Sequence, residues 1–265
     1  NNHPPPPYIY TRVGSSAASD VYKRQVVVRL TAIRAIGGFD PTLRLGEDVD
    51  LVWRLVEHGH VVRYDPSVVV THDPRGSWSS WLRQRRDYGT SAASLGLRHG
   101  DAVAPARCSP WSAAGWAAIA VGQPVLGAAA MAGSGAALVR RLRSLEHPAT
   151  EAARLAGAGH LWAGLGLAHA VTRAWWPIAA TAAVIRPRLR PTVAAATLAP
   201  AVIGWLRGGR SLDPVRAVAL SVVDDVAYGA GLWEGMVRHR TLRPITPDLG
   251  DWPGPRPAVE RAAVD

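Results

Sequence analysis

The amino-acid sequence predicts an α/β segment followed by an all-α, membrane-associated helical region. Within residues 26–107, short apolar runs of strand type alternate with stretches of helical periodicity. Residues 109–139 then form 31 consecutive positions without a formal charge. The whole chain is 48% hydrophobic with a mean hydropathy of +0.02, which is apolar for a soluble domain and too polar for membrane helices alone.

The composition restricts the possible functions without selecting one. The chain has 265 residues, which allows one or two domains, and a single cysteine, which excludes a disulfide framework and a cysteine-rich zinc site. The net charge of +10 comes almost wholly from arginine, which can bind phosphate, nucleic acid or anionic lipid. Because the arginines lie between apolar segments and not on a basic, aromatic-studded face, we expect no nucleic-acid partner.

The two ends of the chain differ in composition from the rest. Residues 1–25 contain the only lysine, Lys23, and the only asparagines, Asn1 and Asn2. We predict a non-native or disordered leader there, with a natural disordered arm as the alternative, and a disordered, proline-rich tail over residues 244–265. The chain is expected to be the back part of a longer protein.

Residues 26–107 are predicted to contain strands and helices in alternation. Apolar runs of four or five residues indicate the strands, and apolar residues spaced three or four apart indicate the helices. The strands are predicted at residues 26–30, 61–64 and 68–71, and the helices at residues 30–36, from Gly46 to Gly59 and at residues 77–97.

Residues 108–243 are predicted to be a membrane-associated helical region. The charge-free stretch at its start exceeds the roughly 20 residues that cross a bilayer. Pro124, at the middle of that stretch, either kinks one long helix or separates two half-helices. Three further apolar stretches follow, at residues 155–185, 192–206 and 215–236. The second of these is short for a membrane span.

Arginine clusters follow almost every apolar stretch of this region. If every stretch crossed the membrane, positive loops would face both sides, against the positive-inside bias. We therefore predict re-entrant or interfacial helices, with an alanine-rich soluble bundle as the alternative.

Asp224 and Asp225 interrupt the last apolar stretch, where acids need a partner such as arginine. For these two acids we predict structural pairing first and contact with an acceptor channel second.

Two acids at a helix start are the main candidates for chemistry. Glu47 and Asp48 follow Gly46, where the helix dipole favours the ionised acid. A fixed, charged carboxylate can accept the proton of an attacking alcohol. Acids also stabilise helix starts without a catalytic role, and that alternative stays open. His72 follows the strand predicted at residues 68–71 and is either a metal ligand or a structural histidine.

Together these residues form a composite motif. Gly37-Gly38-Phe39-Asp40, then Gly46-Glu47-Asp48, then His72 resemble the back half of the catalytic domain of family 2 glycosyltransferases, which have the GT-A fold. The resemblance implies that residues 26–107 are the C-terminal portion of a GT-A domain with an incomplete sheet. It implies Asp48 as the catalytic base, Glu47 as support for the acceptor site, and His72 as ligand of a divalent cation, Mn²⁺ or Mg²⁺.

The resemblance also implies the reaction. A nucleotide-sugar is the donor, a hydroxyl group is the acceptor, and the anomeric carbon is inverted. The Asp-x-Asp metal motif of the family lies upstream of the acidic pair, and no such motif occurs before Gly37. The nucleotide-binding half is therefore expected to be missing, and this fragment to be inactive alone.

A second, partial resemblance lies in the last helix predicted for the α/β segment. Membrane β-glycan synthases of family 2 carry Gln-x-x-Arg-Trp on a helix beside the membrane. Here Gln84 matches, whereas Asp87 and Tyr88 replace the Arg and the Trp. The resemblance implies substrate contacts from Gln84, Arg85, Arg86 and Tyr88. An amphipathic helix with a solvated arginine face is the alternative.

The C-terminal part narrows the resemblance. Residues 88–92, Arg98-His99, residues 221–233 and Leu242-Arg243-Pro244 are similar to the mycofactocin-system glycosyltransferases, a group within family 2. This implies a bacterial inner-membrane enzyme, with its catalytic part in the cytoplasm, that transfers glucose to a mycofactocin precursor. Two alternatives stay open: an enzyme acting on polyprenyl phosphate or a cell-wall glycan, and a non-catalytic membrane protein that binds anionic lipid.

Overall fold

The computed structural model describes residues 27–63, 77–208 and 212–250. Regular structure within these residues is helical; they contain no strand, and a single β-bridge joins Arg107 to Asp248. The helices are α1 (Leu30–Ala35), α2 (Glu47–Glu57), α3 (Trp78–His99), α4 (Pro110–Ala120), α5 (Pro124–Arg141), α6 (Pro148–Arg173), α7 (Trp176–Ile185), α8 (Arg190–Arg207) and α9 (Pro214–His239).

The predicted strands are not found where the structure describes the chain. Residues 27–29 lead directly into α1, and residues 61–63 have no regular structure. Val28 and Val62 instead pack against a small buried cluster formed by α1 and α2. An extended run becomes a strand only when a neighbouring strand satisfies its backbone groups, and no such neighbour is described beside these two runs. The α/β prediction is therefore not confirmed in the described residues.

Several predictions fall on residues that the structure does not describe. They concern the leader at residues 1–25, residue 64, the strand at residues 68–71, His72, and residues 251–265 of the tail. The first part of the predicted tail differs from expectation, because Pro244 is buried and the indole Nε1 of Trp175 donates a 2.8 Å hydrogen bond to the carbonyl of Ile245.

The most extensive helix pairing described is that of α3 with α9, which run parallel. Their backbones touch where glycines leave no side chain between them. Gly89 of α3 lies against the carbonyl of Tyr228, and Gly231 of α9 lies against the carbonyl of Arg86. Small residues permit such close approach of two helices. The helices predicted at residues 77–97 and from the apolar stretch at residues 215–236 are thus confirmed.

The charge-free stretch forms a helical hairpin. Gly122 makes the turn with φ +85°, and Pro124 occupies the first turn of α5, where its missing N–H costs nothing. His160 of α6 ties the hairpin to the next helix, since its ring nitrogens lie 2.8 Å from the hydroxyl of Ser112 and 2.7 Å from that of Ser134. Of the two outcomes expected at Pro124, separation into two helices is confirmed.

Helix α8 is longer than predicted. With the turn before it, the helix runs over Pro187–Arg207, 21 residues, and is long and apolar enough to cross a membrane. The prediction of a stretch too short to span was wrong, because the helix continues through flanking arginine and proline residues. Almost none of it is buried inside the structure. It is the single helix of this kind in the described part of the chain, which is weak evidence for a membrane location.

Candidate functional site

Glu47 and Asp48 form the first turn of α2, as predicted. The Asp48 side chain is exposed, and its Oδ1 accepts a 2.9 Å hydrogen bond from the N–H of Val49. Glu47 is half-buried beside it. The free N–H groups of a helix start favour negative charge at this place. The predicted base is therefore accessible to a substrate at a position that stabilises a carboxylate.

Gly46 places the start of α2 directly against α3. Its backbone is left-handed, with φ +80°, which favours glycine. A Cβ at this position would lie 3.0 Å from Cδ1 of Leu95 and 3.1 Å from Cβ of Ser91. A larger residue would strain the turn and push the acids away from α3.

A third acid of the first turn of α2, Asp50, is buried. It is 0% exposed and accepts hydrogen bonds from Nε of Arg54 at 2.8 Å, from Nη1 of Arg98 at 2.9 Å and from Nε2 of His99 at 2.9 Å. Burial raises the pKa of Asp50, but the hydrogen bonds from His99, Arg54 and Arg98 outweigh burial and hold the pKa below its usual value. The buried charge is thus compensated on both of its oxygens.

Arg54 connects α2 to the preceding glycine turn, Gly37-Gly38-Phe39-Asp40. Its Nη1 donates to the carbonyl of Ile36 at 2.7 Å, and its Nη2 donates to the carbonyl of Gly38 at 2.6 Å. These two carbonyls flank the positive-φ residue Gly37. The guanidinium group therefore fixes the turn relative to the helix.

Asp40, the last residue of the glycine turn, joins the same network. Its Oδ1 accepts bonds from the hydroxyl and the N–H of Thr42, at 2.6 and 2.7 Å, and its Oδ2 pairs with Arg98. The bonds from Thr42, together with Arg98, lower the pKa of Asp40 to about 2. The pairing with Asp40 in turn raises the pKa of Arg98. Arg98 therefore bridges Asp40 and Asp50.

Sequence reasoning assigned no role to Asp50. Two signals were present: Asp50 precedes Leu51 on the apolar side of α2, and its spacing to Arg54 is that of a helical ion pair. The contribution of Arg98 and His99 has no local signal, because they lie 48 and 49 residues away in the chain.

His72, the predicted metal ligand, lies outside the described residues. Among the residues that are described, no group of three or more His, Cys, Asp or Glu side chains is arranged to hold a metal ion.

The four predicted substrate-binding residues lie on α3, and their described contacts are within the protein. The amide of Gln84 donates a 2.6 Å hydrogen bond to the hydroxyl of Tyr88. Both arginines reach across to α9. The ion pairs are Arg85–Asp224 and Arg86–Glu234, the latter with Nη2 2.6 Å from Oε2. These contacts favour a role in joining the two helices.

The structural pairing predicted for the buried acids of α9 is confirmed. Asp224 pairs with Arg85 of α3, and Oδ1 of Asp225 lies 3.2 Å from Nη1 of Arg173 on α6. The guanidinium carbon of Arg173 also lies 3.6 Å from the ring centre of Tyr228. Two adjacent acids thus bind α9 to two different helices.

Most of the chain is similar to known proteins. The profile of "Glycosyl transferase family group 2" matches residues 8–203. Curated proteins called "Pre-mycofactocin glycosyltransferase", from Mycobacterium tuberculosis strains CDC 1551 / Oshkosh and ATCC 25618 / H37Rv, are each 37% identical over 244 residues. The alignment covers 88% of this chain and 52% of each relative, so the chain spans about half the length of the curated relatives it matches. No solved structure matches the chain.

Proposed function

The chain belongs to glycosyl transferase family group 2, and on that premise we propose that it is part of an inverting glycosyltransferase. The enzyme transfers a sugar, glucose, from a nucleotide-sugar to a hydroxyl group. The observation that supports this proposal best is the exposed Asp48 carboxylate at the start of α2. The same helix turn also carries the buried carboxylate of Asp50.

The proposed role of Asp48 is to accept the proton of the acceptor hydroxyl. The acceptor oxygen forms its bond to the anomeric carbon while the bond to the nucleoside diphosphate breaks on the opposite side, which inverts that carbon. The hydroxyl proton passes to the Asp48 carboxylate, and the electron pair leaves with the diphosphate. Glu47, half-buried next to Asp48, is proposed to hold the acceptor.

The proposed acceptor is a mycofactocin precursor. The support is the name of the two relatives, together with their 37% identity over 88% of this chain. The competing acceptors are a cell-wall glycan, whose hydroxyl group would use the same base, and polyprenyl phosphate, whose phosphate oxygen is already ionised and needs no base.

The α/β domain and the cation are also part of the proposal. Residues 26–107 are proposed as the C-terminal portion of a GT-A domain, whose sheet would require residues that the structure does not describe. A divalent cation, Mn²⁺ or Mg²⁺, is proposed with His72 as one ligand. When bound, such a cation balances the charge of a diphosphate. The proton transfer to Asp48 does not depend on it.

Gln84, Arg85, Arg86 and Tyr88 are proposed as substrate contacts at the side of α3. The hydrogen bond from Gln84 orients the ring of Tyr88, which can offer an aromatic face to a sugar. Of the two arginines, Arg86 is the more exposed in its ion pair and is better placed to exchange that pair for a phosphate.

Product analysis tests the proposed function. The protein expressed from its complete gene is incubated with one donor, UDP-glucose, GDP-glucose or ADP-glucose, together with one acceptor. The acceptors, tested in separate reactions, are a mycofactocin precursor, a polyprenyl phosphate and a glucan oligosaccharide. Mass spectrometry is expected to show one or more added hexoses on the precursor. Hexose on polyprenyl phosphate or glucan alone would reject the precursor as acceptor, and failure of transfer to every acceptor would reject the activity.

We further propose that the helical region binds the bacterial inner membrane. The exposed apolar surface of α8 is flanked by Arg186, Arg188 and Arg190 before it and by Arg207 at its end. Apolar surface between cationic ends fits the hydrocarbon and the anionic headgroups of a bilayer.

Vesicle flotation measures this binding. The protein is expected to float with vesicles that contain phosphatidylglycerol and to lose most of that binding when Leu198 and Val202, both exposed on α8, are changed to Asp. Val56→Asp, at an equally exposed position on α2, is the matched control and is expected to float like the unchanged protein. Recovery of the unchanged protein in the vesicle-free fraction would contradict the proposal.

A further inference from the structure

One face of α2 is anchored along its whole length. Asp50, Arg54 and Glu57 are spaced by four and three residues, so they lie on the same side of the helix. Asp50 binds Arg98 and His99 at the end of α3, and Arg54 binds the glycine turn. The anchored face therefore includes the first, middle and last turns of the helix.

His99 connects the two ends of this face. Its Nε2 lies 2.9 Å from Oδ1 of Asp50 and its Nδ1 lies 2.8 Å from Oε1 of Glu57. Its side chain is only 4% exposed, and its ring meets the edge of Trp53 at a centroid distance of 5.0 Å. An imidazole held at both nitrogens and packed against an indole has a fixed orientation, and it keeps α2 from rotating about its own axis.

Asp48 lies on the opposite side of the helix from this anchored face. Successive residues of an α-helix are rotated by about 100°, so Asp48 and Asp50 are separated by about 200° around the axis. Their exposure agrees, since Asp50 is 0% exposed and Asp48 is exposed. Any rotation of α2 that loosened Asp50 would turn the Asp48 carboxylate away from its present direction by the same angle.

We infer that Asp50, Arg98 and His99 are positioning residues for the base: by fixing the rotation of α2, they set the direction in which Asp48 meets the acceptor hydroxyl. This inference rests on the proposed function, because it assigns these residues to the same reaction. It requires none of the three to touch the substrate. It also gives a role in the reaction to the charged side chain that is kept in the core next to Leu51.

A double-mutant cycle in the protein expressed from its complete gene tests the inference. Asp50→Asn keeps the shape of the side chain and removes its charge. We expect it to lower kcat by about a hundredfold, the loss caused when a reacting group is displaced by roughly 1 Å, with little change in KM for the donor. In an Asp48→Asn background the same change is expected to lower the residual kcat by less than about threefold, because the group that Asp50 positions is already gone.

The cycle separates this inference from the proposed function. Equal losses of kcat in both backgrounds would show that Asp50 acts independently of Asp48, and the inference would be overturned. Nearly full activity of Asp48→Asn alone would instead overturn the proposed base. Leu55→Ala, which removes buried apolar contacts from the same helix without touching the charge network, is the matched control. It is expected to lower the melting temperature and to leave kcat per folded molecule within about twofold.

A spin label provides a readout that needs no substrate. A nitroxide attached at Asp48→Cys reports how rigidly this position is held, and Cys108, the one cysteine among these 265 residues, is buried. Asp50→Asn, or Arg98→Gln if the first variant does not fold, is expected to broaden the range of label orientations, whereas Leu55→Ala is not. Identical spectra with and without the change at Asp50 or Arg98 would overturn the inference.

Discussion

Asp48→Asn is expected to lower kcat for sugar transfer by about a thousandfold, within the range of roughly 10²–10⁴ that a positioned base contributes. The amide has nearly the same shape as the carboxylate but cannot take the proton of the acceptor hydroxyl. KM for the acceptor is expected to change little, because the substituted group acts on the proton and not on binding. Steady-state kinetics on the protein expressed from its complete gene measure both constants.

The structure supplies a matched control for this variant. Glu146→Gln makes the same carboxylate-to-amide change at an exposed acid between α5 and α6 and is expected to leave kcat unchanged. Asp48→Asn itself is expected to fold normally, since it loses only a charge near a helix start, worth at most about 1 kcal/mol. A folded Asp48→Asn protein that transfers sugar at the normal rate would remove Asp48 from the mechanism.

Gly231→Ala is expected to lower the free energy of unfolding by about 3 kcal/mol, which corresponds to a fall in melting temperature of roughly 10 °C. A Cβ at Gly231 would overlap the backbone carbonyl of Arg86, and a backbone cannot move aside as a flexible side chain can. Helices α3 and α9 would have to separate, which would also stretch the ion pairs of Arg85 and Arg86 with α9. Thermal unfolding followed by circular dichroism measures the loss.

Gly159→Ala is the control for the helix glycines. Gly159 lies inside α6, and no described atom outside its own helix segment lies within 4 Å of its Cβ position. Alanine there is expected to raise stability by up to about 1 kcal/mol, because alanine favours a helix more than glycine does. Equal melting temperatures for Gly231→Ala and Gly159→Ala would contradict the close backbone contact between α3 and α9.

The acidic part of the site was predictable because its signals are local. A glycine followed by two acids and an apolar helical pattern places Glu47 and Asp48 at a helix start without reference to any other part of the chain. The role of Asp50 was not predictable in the same way. Its partners come from the same helix and from the end of α3, and a sequence pattern does not tell which distant arginine reaches a buried acid.

The aromatic and basic residues of α3 show the same limit. Their motif indicated contacts with substrate, whereas the structure gives Arg85 and Arg86 partners on α9, 139 and 148 residues further along the chain. Only the packing of α3 against α9 brings Asp224 and Glu234 within reach of these two arginines. Their role in substrate binding stays a prediction.

The sequence by itself determined where several helices begin and end, since apolar spacing, caps and prolines act within one or two turns of the backbone. The hairpin at Pro124 and helices α3 and α9 follow from such local rules. The tertiary structure alone decided whether apolar runs became strands or packed as single segments, and which charges met in the interior. Both depend on atoms far apart in the chain, because a backbone group or a buried charge is stable only where a partner is present.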